Sequence, residues 1–213
     1  MKKLFVSLFI LSLVVACKKN PDKFVNDKPD STEYVKTEAT KATPVEVSKD
    51  QALKQLNEEI IQVLKDKDYK KFADFIHPEK GVRFSMYAFV NPKEDKNFSR
   101  SNFMKYQPTK TLFTWGTLDG SGDSYKATID NYLTKWVYSK DFATGQVAFN
   151  EFLGKGNSLN NLKEMYPKAD FTENYIKGSE ANAEMDWKSL RLVFEEFQGK
   201  YYLVAVVNDQ WTI

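Results

Sequence analysis

Cysteine and histidine each occur only once in the 213 residues, as Cys17 and His77. One thiol cannot close a disulfide within a chain, and one histidine cannot build a histidine-rich metal site. The cysteine count also excludes a Cys–His nucleophilic pair and a thiolate metal site in the folded part. Glycine is sparse, at nine residues, and none of it forms a phosphate-binding loop, a dinucleotide fingerprint or a serine-nucleophile elbow. No motif calls for a cofactor. Charge of one sign is missing as well. The chain carries 31 basic and 29 acidic residues, and residues 1–16 hold two of the lysines and no acid. Without that segment the balance is 29 against 29, which creates no general field for nucleic acid and disfavours such a partner.

The amino terminus has the three parts that export requires. Lys2 and Lys3 are followed by an apolar run of 12 residues, Leu4 to Val15, interrupted only by Ser7 and Ser12. A bilayer-spanning helix needs about 20 apolar residues, so the run reads as a cleavable leader. Val14-Val15-Ala16-Cys17 resembles the lipobox of bacterial lipoproteins. The resemblance implies that residues 1–16 are a signal peptide and that the Cys17 sulfur takes a diacylglyceryl group. A further acyl chain such as palmitate is then expected on the freed amine. Each buried methylene contributes roughly 0.8 kcal/mol, so two or three chains hold a protein on a membrane. The expected location is the cell envelope, lipid-anchored to the outer membrane or facing the periplasm.

Residues 17–47 read as a lipidated tether, with Pro21, Pro29 and Pro44 and few large apolar residues. Too little apolar area is available there to offset ordering entropy. About 30 flexible residues would span roughly 30 Å.

Residues 48–213 read as one α+β domain. Ser48 and Gln51 have capping-box spacing ahead of a helix to about Lys65, with Leu53, Leu56, Ile60, Val63 and Leu64 as its stripe. Asp68 caps a second helix, stopped by His77-Pro78. Val82 to Val90 alternates as a strand, and a short helix is predicted over 101–106. A strand over 110–116 leads through Asp119-Gly-Ser-Gly into a third helix at about 125–138. Strands at 144–153 and 169–177 enclose a helix predicted over 158–166. Trp187–Phe197 and Lys200–Asn208 flank Gln198-Gly199. A two-residue loop there would oppose Leu190 to Val207, Leu192 to Ala205 and Phe194 to Leu203 on an apolar face toward the helices. Arg191 and Glu195 would then lie on the other face. A one-residue slip reverses every side chain.

This order of elements resembles the nuclear transport factor 2-like architecture, also seen in ketosteroid isomerases and polyketide cyclases. The resemblance implies a curved antiparallel sheet wrapped around N-terminal helices, a cone with a cavity at its open end, and dimerisation through the sheet. His77-Pro-Glu-Lys-Gly-Val-Arg-Phe-Ser, Trp115-Gly-Thr-Leu-Asp-Gly-Ser-Gly, Ser189-Leu-Arg-Leu-Val-Phe-Glu and Asp209-Gln-Trp-Thr-Ile also look like an uncharacterised group of exported bacterial proteins. One fold hosts many functions, so neither likeness names a ligand.

Several residues carry competing readings. His77 is either a general acid or base or a helix-end residue satisfying carbonyls. Asp209, expected on the helix-facing side with Trp211, is either a cavity-rim base or a chain-end turn residue beside an apolar plug. Arg83 and Arg191 interrupt apolar strands; each either extends into solvent or clamps a carboxylate or phosphate. Tyr87 is a candidate hydrogen-bond donor to a ligand. Asp119, Asp123 and Asp130 echo a calcium loop, but Ser124 replaces its glycine and Asp130 its final glutamate. A strand-to-helix turn explains the same letters.

Two functions follow. The first is a membrane-anchored domain that binds a small-molecule or protein ligand through the cone cavity or the Arg191–Glu195 sheet face. The second is a cofactor-free isomerase, dehydratase or cyclase using His77 or Asp209.

Overall fold

The two N-terminal helices form as their caps dictate. In the computed structural model, which describes residues 48–213, α1 (Lys49–Asp66) starts at a reciprocal Ser48–Gln51 capping box and ends at Lys67 in a left-handed conformation. Asp68 accepts the Lys71 amide and opens α2 (Tyr69–Phe75). The leader, Cys17 and the tether lie outside the described residues, all of which fall within one compact unit, Val45–Ile213. None of the described helices is long and apolar enough to cross a membrane.

The remaining elements are β1 (Val82–Ser85), β2 (Lys96–Phe98), α3 (Arg100–Tyr106), β3 (Phe113–Thr117), β4 (Ser124–Ala127), α4 (Ile129–Tyr132), β5 (Gln146–Phe149), α5 (Leu162–Met165), β6 (Asp170–Ile176), β7 (Lys188–Phe197) and β8 (Lys200–Gln210). Six strands form one sheet in the order β2-β1-β8-β7-β6-β5, and β3 and β4 form a separate hairpin. Every neighbouring pair is antiparallel except β1 and β8, which run parallel. The chain is therefore α+β.

Several predicted boundaries shift for local reasons. The strand beginning at Val82 stops at Ser85 because that hydroxyl is shared between the Tyr87 and Phe89 carbonyls, at 2.9 and 3.0 Å. Such a side-chain bond competes with ladder pairing. Asp119-Gly-Ser-Gly turns a β-hairpin rather than leading from strand into helix, since residues 124–127 pair with β3. The third helix is accordingly shorter, and its end widens into a π turn over Leu133–Val137, where the Tyr138 amide reaches back to Leu133. Only Leu162–Met165 of the predicted 158–166 helix is helical. Residues 150–161 before it are irregular.

The β7–β8 turn does contain Gln198 and Gly199 alone, both with positive φ. Phe194 opposes Leu203 as expected, but the register then shifts by one, leaving Val204 unpaired. This bulge corrects the expected pairs: Leu190 opposes Asn208, and Leu192 opposes Val206. It also reverses the facing of everything beyond it. Leu190, Leu192, Phe194, Leu203 and Val206 pack against the helices, whereas Ala205 and Val207, expected beside them, pack on the opposite side.

Aromatic rings fill the helix-facing layer. Trp115 lies flat on Tyr132, with centroids 3.7 Å apart, and Phe84 contacts Phe72, Phe98, Phe103, Trp115 and Tyr132. The space that a cone cavity would occupy is thus packed with side chains. α1 docks on β6 through a buried amide pair. Asn57 and Asn174 exchange hydrogen bonds at 3.0 and 2.8 Å, and Thr172 donates to Asn57 at 2.6 Å.

Candidate functional site

The bulge at Val204 decides where Asp209 goes. It brings the carboxylate to the sheet face opposite the helices, beside Arg191 on β7 and Glu173 on β6. One Arg191 nitrogen, Nη2, donates to Asp209 at 2.7 Å and to Glu173 at 3.2 Å, and all three side chains are buried. The face that carries Arg191 is therefore not an open binding surface. Residues 150–161 run across it. Glu173 accepts the backbone amides of Leu153 (2.7 Å) and Gly154 (3.2 Å), and the Arg191 guanidinium lies 4.8 Å from the centre of the Phe152 ring. Gly154 leaves no room for a side chain: an added Cβ would sit 2.7 Å from Trp187 and also strike Ser189. Burial pushes the Asp209 carboxyl above its usual range, against the pull of Arg191. Glu195, expected on the same face as Arg191, pairs with Lys80.

His77 is 2 % exposed, and its Nδ1 accepts the amides of Glu79 (3.2 Å) and Lys80 (3.0 Å). It thus satisfies N–H groups of the following turn, not carbonyls of the helix that precedes it. Burial, helped by the Lys80 charge, lowers its pKa, which suits an acceptor that stays neutral. Neither His77 nor Asp209 lines any of the cavities described among these residues. His77 is engaged by the turn amides and Asp209 by Arg191. Trp211 lies beyond the end of β8, half-buried and outside both apolar clusters.

Tyr87 is placed differently. Where the chain bends after Ser85, Tyr87 and Phe89 project into a cleft of about 640 Å³. Thr117, Leu118, Asp119, Gly120 and Gly122 of the β3–β4 turn form a second wall, and Ser158, Leu159 and Thr212 a third. Phe89 and Leu159 are 47 % and 76 % exposed. The Tyr87 hydroxyl accepts the Asp119 amide at 2.9 Å, and its ring meets Trp136 edge-on. Asp119 accepts the Ile213 amide at 2.7 Å, so its carboxylate ties the C-terminus to the hairpin turn. Among the described residues no group of three or more His, Cys, Asp or Glu side chains could hold a metal ion. The third wall is fixed in turn by the covered sheet face: Asn157 donates to the Thr212 carbonyl, and Ser158 and Thr212 hydroxyls lie 3.1 Å apart.

Beside this cleft lies a recess of about 210 Å³, which shares Tyr87, Phe89 and Thr117 and adds Ser85, Met86, Asn91, Glu94, Asp95, Trp115 and Gly116. Asp95 accepts the Asn91 amide at 2.8 Å. Burial pushes its pKa up to about 6, against the opposing effects of that bond and of Arg83. Arg83 itself donates to the Pro92 carbonyl and lines a different cavity of about 250 Å³, with Lys80, Asn97, Met165, Tyr166, Glu195 and Val204. A groove of about 1100 Å³ between α1 and the β7–β8 turn is lined largely by Lys, Gln and Glu side chains.

Glu173 and Asp95 were not among the residues singled out in the sequence. Glu173 sits in a strand of mixed polarity, and nothing local marks it as buried. Asp95 lies in a polar turn whose letters look solvent-exposed.

No protein-family model matches the sequence, and no curated protein matches it. Among solved structures, an NTF-2-like protein of unknown function from Shewanella oneidensis MR-1 is similar to this chain at 9% identity. The match covers 76% of this chain and 100% of that one with a TM-score of 0.35, a likeness too slight to carry an argument about fold or function.

Proposed function

We propose that this chain is an exported lipoprotein, anchored through Cys17, whose α+β domain binds a small ligand in the cleft between Phe89, Leu118 and Leu159. The observation that carries the binding reading is the cleft itself. Its volume of about 640 Å³ falls within the roughly 300–1,000 Å³ of small-molecule sites. Large apolar side chains stand exposed on two of its walls, while the interior that a cone-cavity ligand would need is filled. The order of elements supports a nuclear transport factor 2-like relationship, and the binding site then lies at the edge of the helix–sheet layer rather than deep within it. The anchor rests on the order of charge, apolar run and cysteine in residues 1–17.

Two experiments test the two halves. Mass spectrometry of the chain from bacterial membranes should show a mature species that starts at a diacylglycerylated Cys17, and Cys17→Ser should move the protein to the soluble fraction. An intact leader or an unmodified thiol would overturn the anchor. For the cleft, calorimetric titration of 4-phenylbutanol should give saturable binding, weakened about tenfold by Phe89→Ala through loss of an aromatic wall. Binding unchanged in that variant would place the site elsewhere.

A further inference from the structure

The cleft and the adjoining recess share Tyr87, Phe89 and Thr117, and their charged linings have one sign. Asp119 stands at the cleft, Glu94 and Asp95 at the recess, and no Lys, Arg or His lines either space. Aromatic faces accompany these carboxylates: Tyr87 and Phe89 at the junction, Trp115 at the floor of the recess. Asp119 is committed to the Ile213 amide. Asp95 has one oxygen on the Asn91 amide and the Ser85 hydroxyl beside it, and a carboxylate offers about four lone-pair sites. The hydroxyl of Tyr132, whose ring stacks on Trp115, is fully buried and makes no hydrogen bond, but Tyr132 lines neither space. After burial, the Asp95 charge is the largest influence opposing its ionisation.

We infer that the site takes an organic amine, its protonated nitrogen in the recess against Asp95 and Glu94 and its apolar body along Phe89, Leu118 and Leu159. This rests on the cleft-binding reading and narrows it to a ligand class. An ammonium group gains from carboxylates and from the negative faces of aromatic rings together, most of all where water is partly excluded. A neutral ligand of the same shape gains only the apolar contact, and an anion meets carboxylates with no compensating cation on the walls. Arg83 is the cation that acts on Asp95. Its guanidinium is turned to the Pro92 carbonyl and to the separate cavity beside Tyr166, so that on the recess side Asp95 meets the Ser85 hydroxyl and no cation.

The test uses the full chain with Cys17→Ser and three probes that share one apolar body: 4-phenylbutylamine, 4-phenylbutanol and 4-phenylbutyrate. Titration calorimetry at pH 7.5 should show the amine binding about tenfold tighter than the alcohol, and the butyrate weakest. Asp95→Asn should reduce the amine-over-alcohol preference to about threefold, the remainder coming from Glu94 and the aromatic faces. The unsubstituted protein gives a second measurement that does not depend on a variant folding. Asp95 is surrounded by Glu94 on its own turn, Arg83 on β1, Tyr132 on α4 and Tyr166 after α5, and burial pushes its own pKa up to about 6. The amine preference should therefore decline as the pH is lowered from 7.5 to 5. Amine and alcohol binding equally, or a preference insensitive to both Asp95→Asn and pH, would overturn the inference and leave the cleft reading standing. If none of the three probes binds, the cleft reading fails and the inference with it.

Discussion

The two faces of the six-stranded sheet are buried by opposite means. Toward the helices, Leu190, Leu192, Phe194, Leu203 and Val206 meet a layer of aromatic rings, and the polar side chains there are uncharged, among them the Asn57–Asn174–Thr172 network and Asn208, which donates to the Trp136 and Val137 carbonyls. On the other face, Val193, Ala205, Val207 and Phe171 surround a guanidinium and two carboxylates under an irregular segment. The first face needs only apolar side chains of suitable size to hold regular helices. The second must hold backbone that has no ladder or helix to satisfy it. Glu173 supplies acceptors for two of its amides, Asn150 exchanges bonds with Phe171, and Asn161 does the same with Val90. A loop can be buried when side chains stand in for secondary structure, and here that loop forms one wall of the candidate site.

The largest expected effect breaks the comparison outright. Deleting Val204 alone removes the bulge and leaves Asp209 on the Arg191 side, so the fold survives with a loss of about 1.5–3 kcal/mol for one buried valine. Deleting Val204 and Ala205 together moves Asp209 to the aromatic face, and cooperative unfolding in urea should disappear. In an ordinary strand the double deletion would be the one that preserves facing.

Next comes the charge cluster. Arg191→Ala leaves Glu173 and Asp209 buried without their cation, at a cost of about 3–5 kcal/mol in urea denaturation. Replacing all three side chains by apolar ones of similar volume should cost far less, even though the apolar triple also frees the Leu153 and Gly154 amides. If the triple variant proves no more stable than Arg191→Ala, the cluster is needed for the loop's amides more than for its own charge balance.

On the helix face, Asn57→Leu strands the Asn174 amide and should cost about 1–3 kcal/mol, read as a lower melting temperature. The pH dependence is smaller and has a definite sign. Burial raises the Asp209 pKa in the folded chain, so the folded state binds a proton that the unfolded state releases. Stability from this group therefore falls as pH rises from the ordinary carboxylate range through the raised value. Asp209→Asn should flatten that part of a stability–pH profile. At the far end of the scale, Ser48→Ala removes the α1 cap and should cost about 1 kcal/mol, with no effect on either sheet face.

How much of this was legible depends on the range of the determining contacts. Ser48, Asp68 and Gln198-Gly199 mark caps and a turn by chemistry acting within three or four residues, and the helix stripe and the β7 alternation show which side is apolar. Asp119-Gly-Ser-Gly was readable as a turn, but the strand that follows it depends on pairing with β3, which no local pattern signals. Of the candidate site, Tyr87 was seen as a hydrogen-bonding group and Asp119 only as a turn or calcium-loop residue. Arg191 and Asp209 were noticed as charges in apolar strands, yet their pairing depends on an unpaired Val204 inside the apolar run Leu203-Val-Ala-Val-Val207, where no residue stands out.

The sequence by itself therefore determined the α+β class, the N-terminal helix caps and the final hairpin turn, because each is set by neighbours along the chain. Only the tertiary structure decided which face Asp209 occupies, that Glu173 is buried, and that the open space lies at Phe89 and Leu159 and not inside the sheet. The physical reason is that a one-residue bulge and the packing of rings across distant elements are settled by what fits in space, and the letters of one strand do not carry that information.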